Sequence, residues 1–307
     1  MTDTTADSTN TAAHRDNTRE QRRKFMRRLW RNPSVVIGTI IVLLLVVLAV
    51  IGPYITPMDP LKQNLFARYS APQGLFVDGS LNRNYILGAD ELGRDVLSRV
   101  IMGTRVSLQV GLVATGISLF LGVLLGATAG YVGGRVDNVI MRFMDILLAI
   151  PGILLAIAVV AALGPSIVNA MIAIAIARVP QMARLIRSEV LALREEEFVE
   201  SARALGVAHS TILFKHILRN AWAPALVLAT LGMGTAIVTE ASLSFLGLGT
   251  QPPQISWGRM LSVGRDAIRT APHVTLYPGV AIAVVVLAFN LLGDGLRDVF
   301  DSRIKND

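Results

Sequence analysis

The chain has 307 residues, of which 52% are hydrophobic and 17% charged, against about 25% charged in soluble domains. That balance excludes an ordinary water-soluble enzyme, because the apolar residues gather into charge-free runs, and about 20 apolar residues in a row suffice to cross a bilayer. Cysteine is absent, which excludes disulfides, a thiolate nucleophile and Cys-ligated zinc, and the net charge of +7 sits on Lys and Arg flanking the apolar runs. Such placement reads as a topology signal and argues against nucleic acid as a partner.

Residues 1–20 are small and polar, too poor in apolar surface to offset the entropy of ordering. With the basic stretch Arg22, Arg23, Lys24, Arg27, Arg28 and Arg31 they predict a disordered, basic tail over 1–33. The uninterrupted apolar run Val35–Ile51 is longer than the apolar stretch of a cleaved leader, so a membrane anchor is predicted over 34–55. A loop over 56–104 follows. In it Glu91, Arg94, Asp95 and Arg99 stand at helical spacing, which fits an amphipathic helix on the outer face or a contact surface for another chain.

Four further stretches lack charge: Val106–Gly134, Ile146–Ala177, Asn220–Thr239 and Thr270–Gly293. The second would be ~48 Å long as one helix, well beyond a hydrocarbon core of ~30 Å. It must fold back, and Leu163-Gly164-Pro165-Ser166 is where glycine and proline write the break. Six spans result, near 34–55, 105–131, 139–163, 166–185, 221–245 and 273–293. The last five form one unit over 105–293, and 294–307 is a C-terminal extension.

Gly122, Gly126 and Gly130 repeat at four-residue spacing, which lets helix backbones approach closely in lipid. Packing inside the chain and packing against a partner both fit. Trp257 and Tyr277 read as interfacial aromatic anchors. Eight Lys and Arg lie in the tail and seven in 178–219, counting Arg178. With an even number of spans, tail, 178–219 segment and C-terminus share one face, and the excess of positive charge makes it cytoplasmic. The 56–104 loop is then external.

Several chemistries are missing. None of the four lysines follows a glycine, so no G-x-x-x-x-G-K-[ST] phosphate loop exists, and no H-E-x-x-H pair occurs. His209 and His216 read as surface polar groups rather than metal ligands. Arg142 and Asp145 stand three apart and read as a local pair. No catalytic, cofactor-binding or metal-binding residue is identified.

The segment 178–220 is too long for a simple connection and is patterned. Glu195, Glu196 and Glu197 stand where a helix N-terminus favours negative charge. Phe198, Ala202 and Leu205 fall on one apolar face, and Gly206 follows where a helix would stop in a left-handed turn. Ser210 can cap a second short helix. An amphipathic hairpin lying on the membrane and a hairpin docked in a groove of a soluble partner both fit this pattern.

The stretch "EFVESARALGVAHSTILFKHILRN" resembles the E-A-A-x-x-x-G signature of bacterial ABC importer permeases, with Glu200, Ser201 and Ala202 as E-A-A, and Gly206 as its glycine. Ser201 replaces the usual second alanine, and Arg219 stands where the family has proline, which bears on the break before the fifth span. The blocks "LGADELGRDVLSRVIMGTRVSLQVG", "EASLSFLGLGTQPPQISWGRML" and "LAFNLLGDGLRDVFD" look like the C-type permease of dipeptide and oligopeptide importers.

The resemblance implies an all-α integral membrane protein with six spans, the type I ABC importer permease fold, and a cytoplasmic coupling-helix hairpin. It implies a non-catalytic, pore-forming subunit of the bacterial inner membrane that moves peptides, paired with a second, B-type permease. Two ATP-binding subunits would hold ATP and magnesium, and an extracytoplasmic solute-binding protein would deliver the substrate. Glu200, Ser201, Ala202, Leu205 and Gly206 would couple to the ATP-binding subunits. Nickel, glutathione or sugars are alternative substrates within the same importer class. A stand-alone secondary transporter is the alternative of another class, against which the scarcity of ionisable groups deep in the spans counts.

Overall fold

The computed structural model describes residues 26–304 apart from 75, 78–79 and 82–83; most of the predicted 1–33 tail lies outside the described residues. Apart from a hairpin of two two-residue strands, β1 (Phe76–Val77) and β2 (Ser80–Leu81), the described residues form helices and connections. Five helices are long and apolar enough to cross a bilayer, or six if a bent pair counts as one broken span.

Helix α1 (Pro33–Ile55) starts on the Asn32 side chain, which accepts from the Ser34 and Val35 N–H groups, with proline at the first helical position. One side of α1 packs on the last helix, where a Cβ on Gly38 would stand 2.7 Å from the Leu292 nitrogen. The rest, from Ile40 and Leu43 to Val50, is exposed and aliphatic, as a lipid face requires.

Helix α2 (Val96–Val132) is capped by Asp95, whose side chain accepts from the Ser98 N–H. The acidic and basic residues before it do not form the predicted outer helix. Asp90 instead accepts from the Leu92 N–H at 3.0 Å, the Arg94 N–H at 2.9 Å and the Arg94 Nε at 2.7 Å, folding 90–95 into a turn. Arg99 Nε lies 3.3 Å from the same carboxylate. The turn therefore plugs into the start of α2 rather than lying on the surface.

Gly122, Gly126 and Gly130 face α5 (Ile167–Leu193). A Cβ would stand 2.5 Å from Met182 Cβ at Gly122, 2.3 Å from the Ala183 oxygen at Gly126 and 2.9 Å from Val190 Cβ at Gly130. Both sets of numbers rise together, so α2 and α5 are parallel, and the chain between them must return across the bundle. It does so in two pieces. Gly133 and Gly134, both at positive φ, turn the chain out of α2. Helix α3 (Gly134–Leu148) then runs to Pro151, and α4 (Gly152–Leu163) leaves at about 90° to it.

The span predicted over 139–163 is thus interrupted by a bend of about 90° at Pro151. Proline removes an N–H and disfavours helical geometry in the residue before it, and Ile150-Pro151-Gly152 supplies that signal. Only Met144 of α3 is fully buried, while Val139, Phe143 and Ile146 are exposed. Its charges reach α5: Arg187 grips Asp137 through two bonds of 2.5 and 2.6 Å, and Arg184 donates to Asp145 at 2.5 Å. The predicted local pair of Arg142 with Asp145 is replaced by this longer connection.

Gly164, at φ +93°, and the Ser166 cap on the Asn169 N–H form the turn into α5. Helix α5 continues to Leu193, past the predicted end at 185. After a short hairpin, α8 (Leu218–Phe245) returns antiparallel to α2, since Gly111 abuts Ile237 whereas Ala127 packs with Ala225 and Ala229. Helix α9 (Trp257–Gly264) crosses the far end, and α10 (His273–Ile304) runs back beside α8 and α1, eleven residues beyond the predicted 293. The start of α1, the end of α10 and the hairpin therefore share one end of the bundle.

Trp257 is not an interfacial anchor. It is 1% exposed, its ring lies on Gly103, and its Nε1 donates to the Val100 oxygen at 2.9 Å. Glycine at 103 makes the space, and the carbonyl satisfies the indole N–H that burial would otherwise leave orphaned.

Candidate functional site: a hairpin at one end of the bundle

Past Leu193 the chain makes two helices that stand at the bundle end. Helix α6 (Glu197–Ala204) carries Glu197 and Glu200 in its first turn and Arg203 in its last, each favourable with the helix dipole. It stops at Gly206, φ +72°. The Val207 N–H donates to the Ala202 oxygen at 3.1 Å and the Gly206 N–H to the Arg203 oxygen at 2.9 Å, the pair of bonds that defines a Schellman ending. Val207 packs in the same cluster as Ala202, as that ending favours.

A second helix, α7 (His209–Thr211), passes into a π-helical segment, Ile212–Ile217, and then into α8 without a break. Arg219, standing where proline would interrupt the ladder, keeps its N–H, and Pro224 lies inside a continuing helix. Asn220 Nδ2 donates to the His216 oxygen at 3.1 Å, a side-chain bond at the end of the π segment.

The hairpin is seated from beneath. Val199, Ile212 and Ile217 are fully buried with Ile186 and Val190 of α5 and Ala127 of α2. Arg194 Nη1 donates to the Gly130 oxygen at 3.0 Å, and Tyr131 Oη meets His209 Nδ1 at 2.8 Å. Both bonds reach the end of α2, so movement of the hairpin and of α2 is linked.

The face pattern read from the sequence needs one revision. Ala202 is buried, but beside Val199, while Phe198 and Leu205 turn outward; Leu205 is 83% exposed and Phe214 of the π segment 65%. Glu200, Ser201 and Gly206 are exposed with them. The hairpin thus presents apolar residues rimmed by Glu195, Glu196, Glu197, Glu200 and Lys215. Exposed apolar residues rimmed by charge are the composition that contact surfaces present. Among the described residues no cluster of His, Asp or Glu is arranged to hold a metal ion.

Arg178, counted with the basic 178–219 segment although it also falls in the predicted 166–185 span, lies in the middle of α5, half-buried against Gly232 and Thr235 of α8. Its position inside the predicted 166–185 span, just after the 32-residue charge-free stretch 146–177, was the available signal.

A parallel pair bridged by a broken helix, a capped hairpin and an antiparallel return describe a membrane transport component. Residues 122–306 match the model of the binding-protein-dependent transport system inner membrane component, and 20–72 match the N-terminal membrane domain of oligopeptide transport permease C. The chain belongs to the binding-protein-dependent transport system inner membrane component family. It is 45% identical to the dipeptide transport system permease protein DppC of Alkalihalophilus pseudofirmus, over 92% of this chain and 90% of that one. It is 44% identical to the glutathione transport system permease protein GsiD of Pectobacterium atrosepticum over 92% of each, and 43% identical to the di/tripeptide permease DppC of Pseudomonas aeruginosa over 92% and 93%. A chain of the inward-facing MetNI methionine ABC transporter superposes with a TM-score of 0.54 at 19% identity, covering 66% of this chain and 97% of that one. The fold is that of an ABC importer permease.

Proposed function

We propose that the chain forms one half of the solute pathway of an ATP-driven importer for peptides or peptide-like solutes such as glutathione. The other half is a second, B-type permease, and a solute-binding protein delivers the substrate from outside. Two separate ATP-binding subunits hold ATP and magnesium, and this chain holds no cofactor of its own. The hairpin end of the bundle, with both termini, faces the cytoplasm of a bacterial inner membrane.

The observation that carries this reading is the exposed apolar surface of Phe198, Leu205 and Phe214 on a hairpin seated firmly on α2 and α5. An apolar surface so anchored suits a rigid contact through which closure of an ATP-binding subunit rocks the helices. Glu200, Ser201, Ala202, Leu205 and Gly206 supply its shape: Ala202 seats it, Gly206 ends it, and Leu205 leads into the partner.

The test is co-purification and coupled hydrolysis. Leu205→Asp places a charge at the centre of the contact and lowers recovery of the ATP-binding subunits by about ten-fold, as loss of a central apolar anchor does at interfaces. The variant still inserts in the membrane and still pairs with the second permease. Undiminished recovery of the ATP-binding subunits would remove the docking role of the hairpin.

A further inference from the structure

Resting on the reading of the chain as half of a pathway for peptides, we propose that Arg178 is a mid-membrane station for the substrate's carboxylate. Arg178 is 11 residues from the start of α5 and 15 from its end, hence ~17 Å and ~23 Å along the helix axis. Charged side chains at such depth face a bundle interior or a water-filled path rather than lipid.

The guanidinium lies in a notch cut by Gly232, where a Cβ would stand 2.1 Å from Nη2. Nη1 donates to Thr235 Oγ1, and the Thr235 hydroxyl hydrogen goes to the Gly232 oxygen at 3.0 Å, which leaves that oxygen free to accept from arginine. Nε is buried without a partner, and none of the ion pairs among the described residues involves Arg178. A guanidinium carries five N–H donors in a fork that matches a carboxylate. One of the five is used.

The surface around it is polar where the lipid-facing surface is not. Thr235, Thr239 and Ser242 follow one another along one face of α8, and Gln181 stands exposed one turn beyond Arg178 on α5. The exposed side of α1, by contrast, is Ile, Leu and Val alone over Ile37–Ile51. A lipid phosphate, held at the headgroup level, does not reach the middle of α5. A carboxylate moving through the pathway does, and every linear peptide with a free C-terminus carries one.

The test uses the whole transporter, with its binding protein, in proteoliposomes, and a radiolabelled dipeptide with a free carboxylate. Arg178→Gln lowers the number of dipeptides moved per ATP hydrolysed about ten-fold, while binding-protein-stimulated hydrolysis stays within about two-fold of wild type, because a charge-assisted bidentate contact is lost without loss of the docking surfaces. Arg178→Lys, which keeps the charge but not the fork, recovers part of that ratio. An unchanged ratio in Arg178→Gln overturns the station alone. So does loss of the second permease from the purified complex, which would make the anion an acidic side chain of that subunit. A wild-type complex that hydrolyses ATP yet moves no dipeptide overturns both the station and the function on which it rests.

Discussion

Gly206 illustrates how a single residue sets the shape of the hairpin. No atom lies within 4 Å of where its Cβ would stand, so space does not demand glycine; the φ of +72° does. An L-residue in that conformation costs about 1–2 kcal/mol, which lowers the population of the docking geometry by about 5- to 30-fold. Gly206→Leu is therefore expected to reach the membrane in normal amounts and lose most uptake, whereas Gly206→Asn, which tolerates the left-handed turn, retains most of it. Immunoblots of the membrane fraction beside uptake assays check this, and normal uptake by the leucine variant would refute it. The turn was legible because glycine after a short apolar-faced segment has few other meanings. The inward face was not: Phe198, Val199, Ala202 and Leu205 cover an arc of about 120° on a helix, and the residues that select its buried part, Ile186 and Val190, belong to α5.

At the scale of elements, the parallel contact of α2 with α5 is the seam of the fold. At Gly126 a Cβ would strike backbone, 2.3 Å from the Ala183 oxygen, so the strain cannot be relieved by a side-chain rotation. Gly126→Val should cost about 1–3 kcal/mol as overpacking does and lower the melting temperature in detergent, while Gly116→Val, with open space around Gly116, leaves it unchanged. Equal melting temperatures for the two variants would contradict the seam. The small-residue spacing announced a close contact, yet not its partner, since Met182 and Ala183 look like any other span residues. The break at Pro151 was written in the chain as well. It was masked by a 32-residue apolar stretch in which Gly164-Pro165 already sufficed to divide the length into two crossings.

Across the whole molecule, α2 connects two anchored ends: the Asp90 turn at one and the hairpin at the other. Its 37 residues span ~55 Å, too far for direct electrostatic contact between the ends. Stability and coupling should therefore separate. Asp90 is the common acceptor for Arg94 and Arg99, with side-chain exposures of 4%, 15% and 7%. Arg94 also pairs with Glu91, but Arg99 has no other carboxylate among the ion pairs of the described residues, so removing the Asp90 charge leaves a buried guanidinium without compensation, at about 3–5 kcal/mol. Asp90→Asn is expected to lower the melting temperature and to open residues 56–95 to protease, while the ATP-binding subunits are recovered with the chain as before. Tyr131→Phe, which removes the bond to His209, should do the reverse, leaving the far end protected and weakening ATP-coupled uptake. If Asp90→Asn instead released the ATP-binding subunits, α2 would be acting as a lever whose outer end sets the hairpin, and the two ends could no longer be treated as independent.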